Sequence, residues 1–316
     1  MKPQFETPVV FMIFNRPEPT KRVFAEIAKQ RPKKLLVVAD GPRKNHPNDA
    51  KNCEETRRIL KEINWDCEVL TNLSDENLGC KKRVTSGISW VFTQVESAII
   101  LEDDVLPSES FFSFCAELLE RYKNDSRVMM ISGTQFHPSC IDNKYSYSFS
   151  RWPQIWGWAT WRRAWQTYDA DLTLWPDFKD EQQLKNAGLG FESRLYWDRI
   201  FEKMYQKKVD TWDHQWSFNM ISNGGLAIQP NVNLITNIGF GETATHTKVI
   251  NRYANMERSE IPFPLIHPKF VLPSARIDTV IRKRTQGILY KIFNSTRIYF
   301  ETKRQQLLEA RQKKAD

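Results

Sequence analysis

An α/β fold, a doubly wound sheet flanked by helices, follows from three features of this 316-residue chain. Continuous apolar runs of strand length recur through the first half, helix-like segments separate them, and each run stops abruptly at turn residues or acids. Pro8 to Phe14 is the first such run, ended by Asn15-Arg16-Pro17, and Thr20 to Gln30 reads as a helix with Val23, Phe24 and Ile27 on one face. Leu35 to Ala39 is a second buried strand, stopped by the turn signal Asp40-Gly41-Pro42. A polar helix over about 48–63 and a short strand near Cys67 to Leu70 follow.

After Leu78-Gly79-Cys80, the spacing of Val84, Ile88, Val91, Phe92 and Val95 predicts a helix with a core-facing stripe. It leads to Ala98-Ile99-Ile100-Leu101, a fourth strand that ends in Glu102-Asp103-Asp104. Pro107 and Ser108 open a helix that runs through Tyr122, and Arg127 to Gly133 reads as a fifth strand. From Arg151 the texture changes, because nine of the 11 Trp fall between 151 and 216. That points to a second functional region on the same fold, so residues 1–135 and 136–280 read as two halves of one domain. A helix over about 192–206, a turn at Asn223-Gly224-Gly225 and a loop at 237–247 with hydroxyl and amide donors complete it.

Composition narrows the function classes. Hydrophobic residues at 41%, with only 12 Gly and 16 Pro, exclude a disordered or collagen-like chain. The five Cys, at irregular positions, match neither a disulfide framework nor a zinc site, which predicts reduced thiols. The N-terminal residues lack the apolar stretch of a signal peptide, and no run approaches the roughly 20 apolar residues that span a bilayer. The expectation is a cytoplasmic protein whose membrane contact is peripheral. The net charge of +8 is uneven: residues 281–316 hold ten Lys/Arg against three acids, so the body is nearly neutral. A neutral body argues against a nucleic-acid partner. The basic tail, with Ile288, Leu289, Ile292, Phe293, Tyr299 and Phe300, reads either as a helical extension lying on anionic lipid or as one packed on the domain.

Three adjacent carboxylates at a strand end repel one another unless a cation or hydrogen-bond donors offset them. In open α/β sheets that end is where ligands bind, and a hard divalent ion bridging to diphosphate oxygens would supply the offset. A plain acidic surface turn is the other reading. Lys81-Lys82-Arg83, in the first turn of a helix, puts cations where the dipole disfavours them, which a bound anion would compensate; three solvated basic side chains explain it equally. Asn15-Arg16 and Asp40-Gly41 lie on the same rim.

In order along the chain, Phe14-Asn15-Arg16, Ile99 to Val105 with its acids, Trp156-Gly157-Trp158, Trp212-Asp213 and Gly239-Phe240-Gly241 through His246 resemble the nucleotide-sugar glycosyltransferases of the GT-A (Rossmann-like) fold, with a mixed sheet. The nearest resemblance is to the N-acetylglucosaminyltransferase I family and its bacterial relatives. It implies a metal-dependent, inverting transfer from a UDP-linked donor to a saccharide or glycolipid acceptor, of the kind used to build surface polysaccharide or lipopolysaccharide. Carried onto these positions, it implies Asp104 as the ligand of Mn2+ or Mg2+, with Glu102 and Asp103 on ribose or sugar. Phe14, Asn15, Arg16 and Asp40 would hold the nucleoside. Gly79, Lys81, Lys82 and Arg83 would meet the diphosphate, and Gly239, Phe240, Gly241 and Thr245 would close over the donor. His246 would be a secondary metal site. Asp213 would be the catalytic base, with Asp198 and Asp210 as competitors, and Trp212 and Trp216 would wall it from water. Trp156, Trp158 and Trp212 would offer flat apolar surface to a sugar. A nucleotidyltransferase or sugar-nucleotide hydrolase, and a non-enzymatic carbohydrate-binding protein, are the alternatives.

Overall fold

The computed structural model describes residues 4–137, 144–240 and 253–283. The first half alternates as β1 (Val9–Ile13), α1 (Pro17–Gln30), β2 (Lys34–Ala39), α2 (Asp49–Arg58), β3 (Glu68–Leu73), α3 (Cys80–Gln94) and β4 (Ser97–Glu102). Then come β5 (Val105–Pro107), α4 (Glu109–Arg121), β6 (Val128–Ser132), β7 (Tyr147–Ser150), β8 (Trp158–Trp161), α5 (Arg162–Trp165), α6 (Trp175–Asp180) and α7 (Gln183–Asn186). The remainder is α8 (Phe191–Tyr205), α9 (Asp213–Ser222), β9 (Leu226–Pro230), β10 (Ile235–Asn237) and α10 (Ala275–Ile281).

Eight strands form one mixed sheet in the order β3-β2-β1-β4-β8-β6-β9-β7. β3, β2, β1 and β4 are mutually parallel, whereas β8 runs antiparallel to both β4 and β6. The sheet therefore crosses residue 135 without a break. β5 and β10 pair antiparallel in a separate ribbon.

Period-two alternation divides the core. Val9, Phe11, Ile13, Leu35, Val37, Ile99 and Leu101 pack on one face against Val23, Phe24 and Ile27 of α1 and Phe111 to Leu118 of α4. Val10, Met12, Leu36, Val38, Ala98 and Ile100 pack on the other against Val84, Ile88, Val91 and Phe92 of α3. With both faces covered, these strands read as unbroken apolar runs, and each fully buried side chain contributes about 1.5–3 kcal/mol. A third cluster, of Leu172, Trp175, Leu184, Trp197, Phe201 and Phe218, unites α6 to α9 beside the sheet.

The structure shifts three expectations. α1 begins at Pro17, not Thr20, because a proline's fixed φ suits the first helical turn and its missing N–H has no partner to lose there. Pro107 ends a strand instead of opening a helix: β10, far along the chain, supplies the ladder for Val105 to Pro107, and α4 starts only after Ser108. Val128–Ser132 is consequently the sixth strand. Of the basic tail, only Ile281 to Lys283, at the end of α10, lie among the described residues.

Candidate active site

β1 sits between β2 and β4, so the chain leaves it in one direction along the sheet through β2 and β3 and resumes on its other side at β4. Parallel sheets open a crevice at such a reversal, outside the carboxyl ends of the strands. A cleft of about 450 Å³ lies there, within the size range of small-ligand sites. Its walls carry Phe14 and Arg16 after β1, Asp40 and Arg43 after β2, Glu102 to Asp104 at the end of β4, and Trp156, Asp210 to Asp213, Asn237 and Gly239 from the second half.

The acids do not stand alone. Arg16 forms an ion pair with Asp103 and a second with Asp104 at 2.9 Å, and the Phe14 N–H donates to the other Asp103 oxygen at 3.2 Å. Asp103 is buried and each of its oxygens already accepts one donor, so it meets the cleft chiefly as the partner of Arg16 and of the Phe14 N–H. Asp104 remains partly open to the cleft. Glu102 is half-buried at the cleft wall, and desolvation, then repulsion by Asp104 and Asp103, pushes its carboxyl above the usual carboxylate range. Burial raises Asp103 as well, against the pull of Arg16. Asp213 adds to the repulsion at Glu102, which puts the two walls within electrostatic reach of each other.

At the β2 end, Asp40 accepts four N–H donors, from Gly41 and Leu78 at 2.9 Å, the Asn77 amide at 3.0 Å and Gly79 at 3.2 Å. That saturates a carboxylate. Asp40 is thus a clamp that fastens the loop before α3 to the sheet, not an open nucleoside ligand. Gly79, at the end of that loop, has φ +78°, which favours glycine. Asn15 turns from the cleft to Asp49 at 2.8 Å. Asp49 also binds Arg43 through Nε at 2.6 Å and Nη2 at 3.0 Å, and this contact holds its carboxyl down at about 2.

Of Lys81, Lys82 and Arg83, only Arg83 lines the cleft, and its guanidinium donates to the Asn72 backbone and amide oxygens. Lys81 turns to Asp171 at 3.3 Å, and Lys82 faces solvent. Cys80 borders the cleft as a thiol, pushed up to about 12 by burial and then by Glu102, so it does not supply a thiolate.

On the opposite wall, eight of the nine Trp between 151 and 216 are buried; Trp156 is the one that is not, and it lines the cleft. Trp158 is core: it is 1% exposed, stacked on Trp212 with centroids 5.5 Å apart, and it offers no face to a ligand. Trp216 is also wholly inside, so it does not wall the cleft, whereas an edge of Trp212 does. Asp213 opens α9, where a carboxylate faces the positive end of the helix, and it accepts the Thr211 hydroxyl. Asp210 accepts the Lys81 N–H at 3.2 Å. Asp198 lies elsewhere, near Lys179.

After β10, the Ile238 N–H donates to the Asp104 carbonyl at 2.8 Å, which lays Gly239 against Asp104. Phe240 meets Trp156 edge-on at 5.8 Å. Gly241, Thr245 and His246 lie outside the described residues. Arg43, Asn77, Thr211 and Asn237 belong to the cleft and were not singled out from the sequence. Only Arg43 had a signal there, as a cation directly behind a strand-ending Asp-Gly-Pro turn.

Even with Glu102 set aside because its carboxyl is pushed up, five cleft Asp face three guanidiniums, an imbalance that repels a diphosphate arriving without a cation. Among the described residues no three His, Cys, Asp or Glu side chains gather into a metal cage. A hard ion held by one carboxylate and by substrate phosphates needs no such cage, and Asp104 fits that role. No described helix is long and apolar enough to cross a membrane.

Fold and cleft together define an α/β protein with a candidate ligand cleft, rimmed by charged side chains, at the switch point of its sheet. No family model and no curated protein sequence matches the chain. Among solved structures it is similar to a mannosyltransferase from Pyrobaculum calidifontis in complex with GDP-Man and Mn2+, at 14% identity and TM-score 0.42 over 72% of this chain. The chain spans 55% of that mannosyltransferase. It is also similar to the mouse xyloside xylosyltransferase 1, apo form (11% identity, TM-score 0.33, 68% of this chain and 82% of that one). A UTP-bound UGPase from Acinetobacter baumannii gives 10% identity and TM-score 0.33, over 71% of this chain and 85% of that one. The functional reading rests on the cleft itself.

Proposed function

We propose that the protein is a GT-A-type glycosyltransferase that moves a sugar, with inversion, from a nucleotide-sugar donor to a saccharide or glycolipid acceptor. The observation that carries this is two acidic groups in one cleft: Glu102 to Asp104 at the end of β4, and Asp210 and Asp213 before and at the start of α9. A displacement at an anomeric carbon needs charge stabilisation behind the leaving group and a base in front of it, and two acidic groups suit that division.

Asp104 would hold a divalent cation, Mn2+ or Mg2+, which when bound neutralises charge on the departing diphosphate. Arg16, within reach of Asp104, would orient the phosphates. Asp213 would accept the acceptor hydroxyl's proton, with Thr211 fixing its carboxylate, and Trp156 would face the sugar. Uridine is the base the sequence resemblance favours. A nucleotidyltransferase would carry a glycine-rich phosphate loop after its first strand, whereas Phe14-Asn15-Arg16-Pro17 leads straight into α1.

Titration of the protein with UDP and GDP, with and without Mn2+, followed by a donor-panel hydrolysis assay, tests the reading. Cation-dependent nucleotide binding and release of sugar from one donor are expected; absent or cation-independent binding would sink it. The basic residues 281–316 suit an anionic membrane surface, and the full chain should bind anionic liposomes at low salt more tightly than a chain lacking 285–316.

A further inference from the structure

Arg43 is the cleft's best-prepared side chain that the proposed chemistry leaves without a task. Its Nε and Nη2 are fixed by Asp49, its guanidinium carbon lies 5.5 Å from the Phe14 ring centroid, and the residue lines the cleft. Asp49 is itself 4% exposed and takes a further bond from the Arg43 N–H at 3.2 Å, so the clamp is rigid. A guanidinium has five N–H donors, and Asp49 uses two of them. What remains is an edge of donors and no acceptors.

Its place in the sheet says what that edge meets. The acid triplet follows β4, Phe14 follows β1 and Arg43 follows β2, three adjacent parallel strands. Two strand spacings separate the ends of this row by about 10 Å. A nucleotide with its phosphates at the β4 end reaches the β2 end with its base. Phe14 connects the two, with its N–H on Asp103 and its ring beside Arg43.

Resting on the nucleotide-donor reading above, we infer that Arg43 is the specificity-determining residue for the donor's base, selecting a keto base, and that Asp49 is its positioning residue. Uracil and guanine carry a carbonyl acceptor at the 4- or 6-position, where cytosine and adenine carry an amino donor. Arginine donors pair with the first and oppose the second. A site built around a hydrogen bond also rejects the analogue that leaves its polar group unpaired.

Calorimetric titration with UDP, GDP, CDP and ADP at constant Mn2+, and with inorganic pyrophosphate as a probe without a base, tests this in the full chain. The wild-type protein should bind UDP or GDP on the order of ten- to a hundredfold more tightly than CDP and ADP. Arg43→Ala should erase that ratio while pyrophosphate affinity holds. Asp49→Asn should narrow the same ratio, again at constant pyrophosphate affinity; should that variant fail to fold, Arg43→Ala, at a side chain 36% exposed, still decides. An unchanged ratio in Arg43→Ala overturns the inference, as does an equal loss for pyrophosphate, which would make Arg43 a phosphate ligand. If the wild-type protein binds none of the nucleotides, the donor reading fails and the inference falls with it.

Discussion

Gly239→Ala probes how the loop after β10 shapes the acidic end of the cleft. A Cβ built on Gly239 would stand 1.9 Å from Asp104 Oδ2, 2.6 Å from its Cγ and 2.8 Å from its Cβ, where ordinary contact begins at 3.4 Å. The carboxylate is therefore 1.5 Å too close, and rotating it does not relieve the clash with the Asp104 Cβ. Asp104 must leave the 2.9 Å bond to Arg16, or the loop must lift. Overpacking of this kind costs about 1–3 kcal/mol. A misplacement of about 1 Å at a reacting centre costs on the order of a hundredfold in rate. Calorimetry with Mn2+ and UDP should show cation-dependent binding weakened at least tenfold, and thermal unfolding without ligand should show a drop of a few degrees. Wild-type values in both assays would refute the close approach of loop and carboxylate.

Three other outcomes are expected. Asp213→Asn should lower turnover about a hundred- to ten-thousandfold with UDP affinity retained, as measured by initial rates and calorimetry; full activity there, with loss in Asp210→Asn, would transfer the base role to Asp210. Trp158→Ala should cost about 3–5 kcal/mol in urea denaturation because it empties the core, whereas Trp156→Ala, at a half-buried ring packed on the core edge, should cost less and weaken donor binding. Asp49, at about 2 in the folded protein, lies below its unfolded value of 3.8, so its contribution is full above pH 3.8 and is lost as pH falls through 2. The stability gap between wild type and Asp49→Asn, on the order of 1–2 kcal/mol after allowance for the exposure of Arg43, should close over that window in acid denaturation series.

The strands were legible because burial on both faces turns them into apolar runs, and Glu102 to Asp104 stood out because acids seldom follow such a run directly. β5 escaped notice for the opposite reason: three residues are too few to show a period, and their partner lies at 235–237. Side-chain direction was the other blind spot. Composition marked the tryptophans, but whether a ring faces core or cleft depends on packing, which separates Trp156 from Trp158 two residues on. Lys81 and Lys82 looked alike with Arg83, yet Asp171 and solvent claim the first two. The Arg43–Asp49 and Arg16–Asp103 pairs join residues whose affinity for each other is ordinary and whose meeting depends on the fold.

The cleft's lining is gathered from well-separated stretches of chain, from Met12 in the first strand to Gly239 beyond the last. No fragment that lacks either half of the chain can assemble it, so any ligand affinity depends on both halves being folded. On the proposed function, a bound nucleotide would stabilise the assembled cleft and no fragment lacking half of it, raising stability with the logarithm of ligand concentration. Nucleotide binding would thereby report the assembly of both halves, and a chain truncated in either half should show no residual affinity.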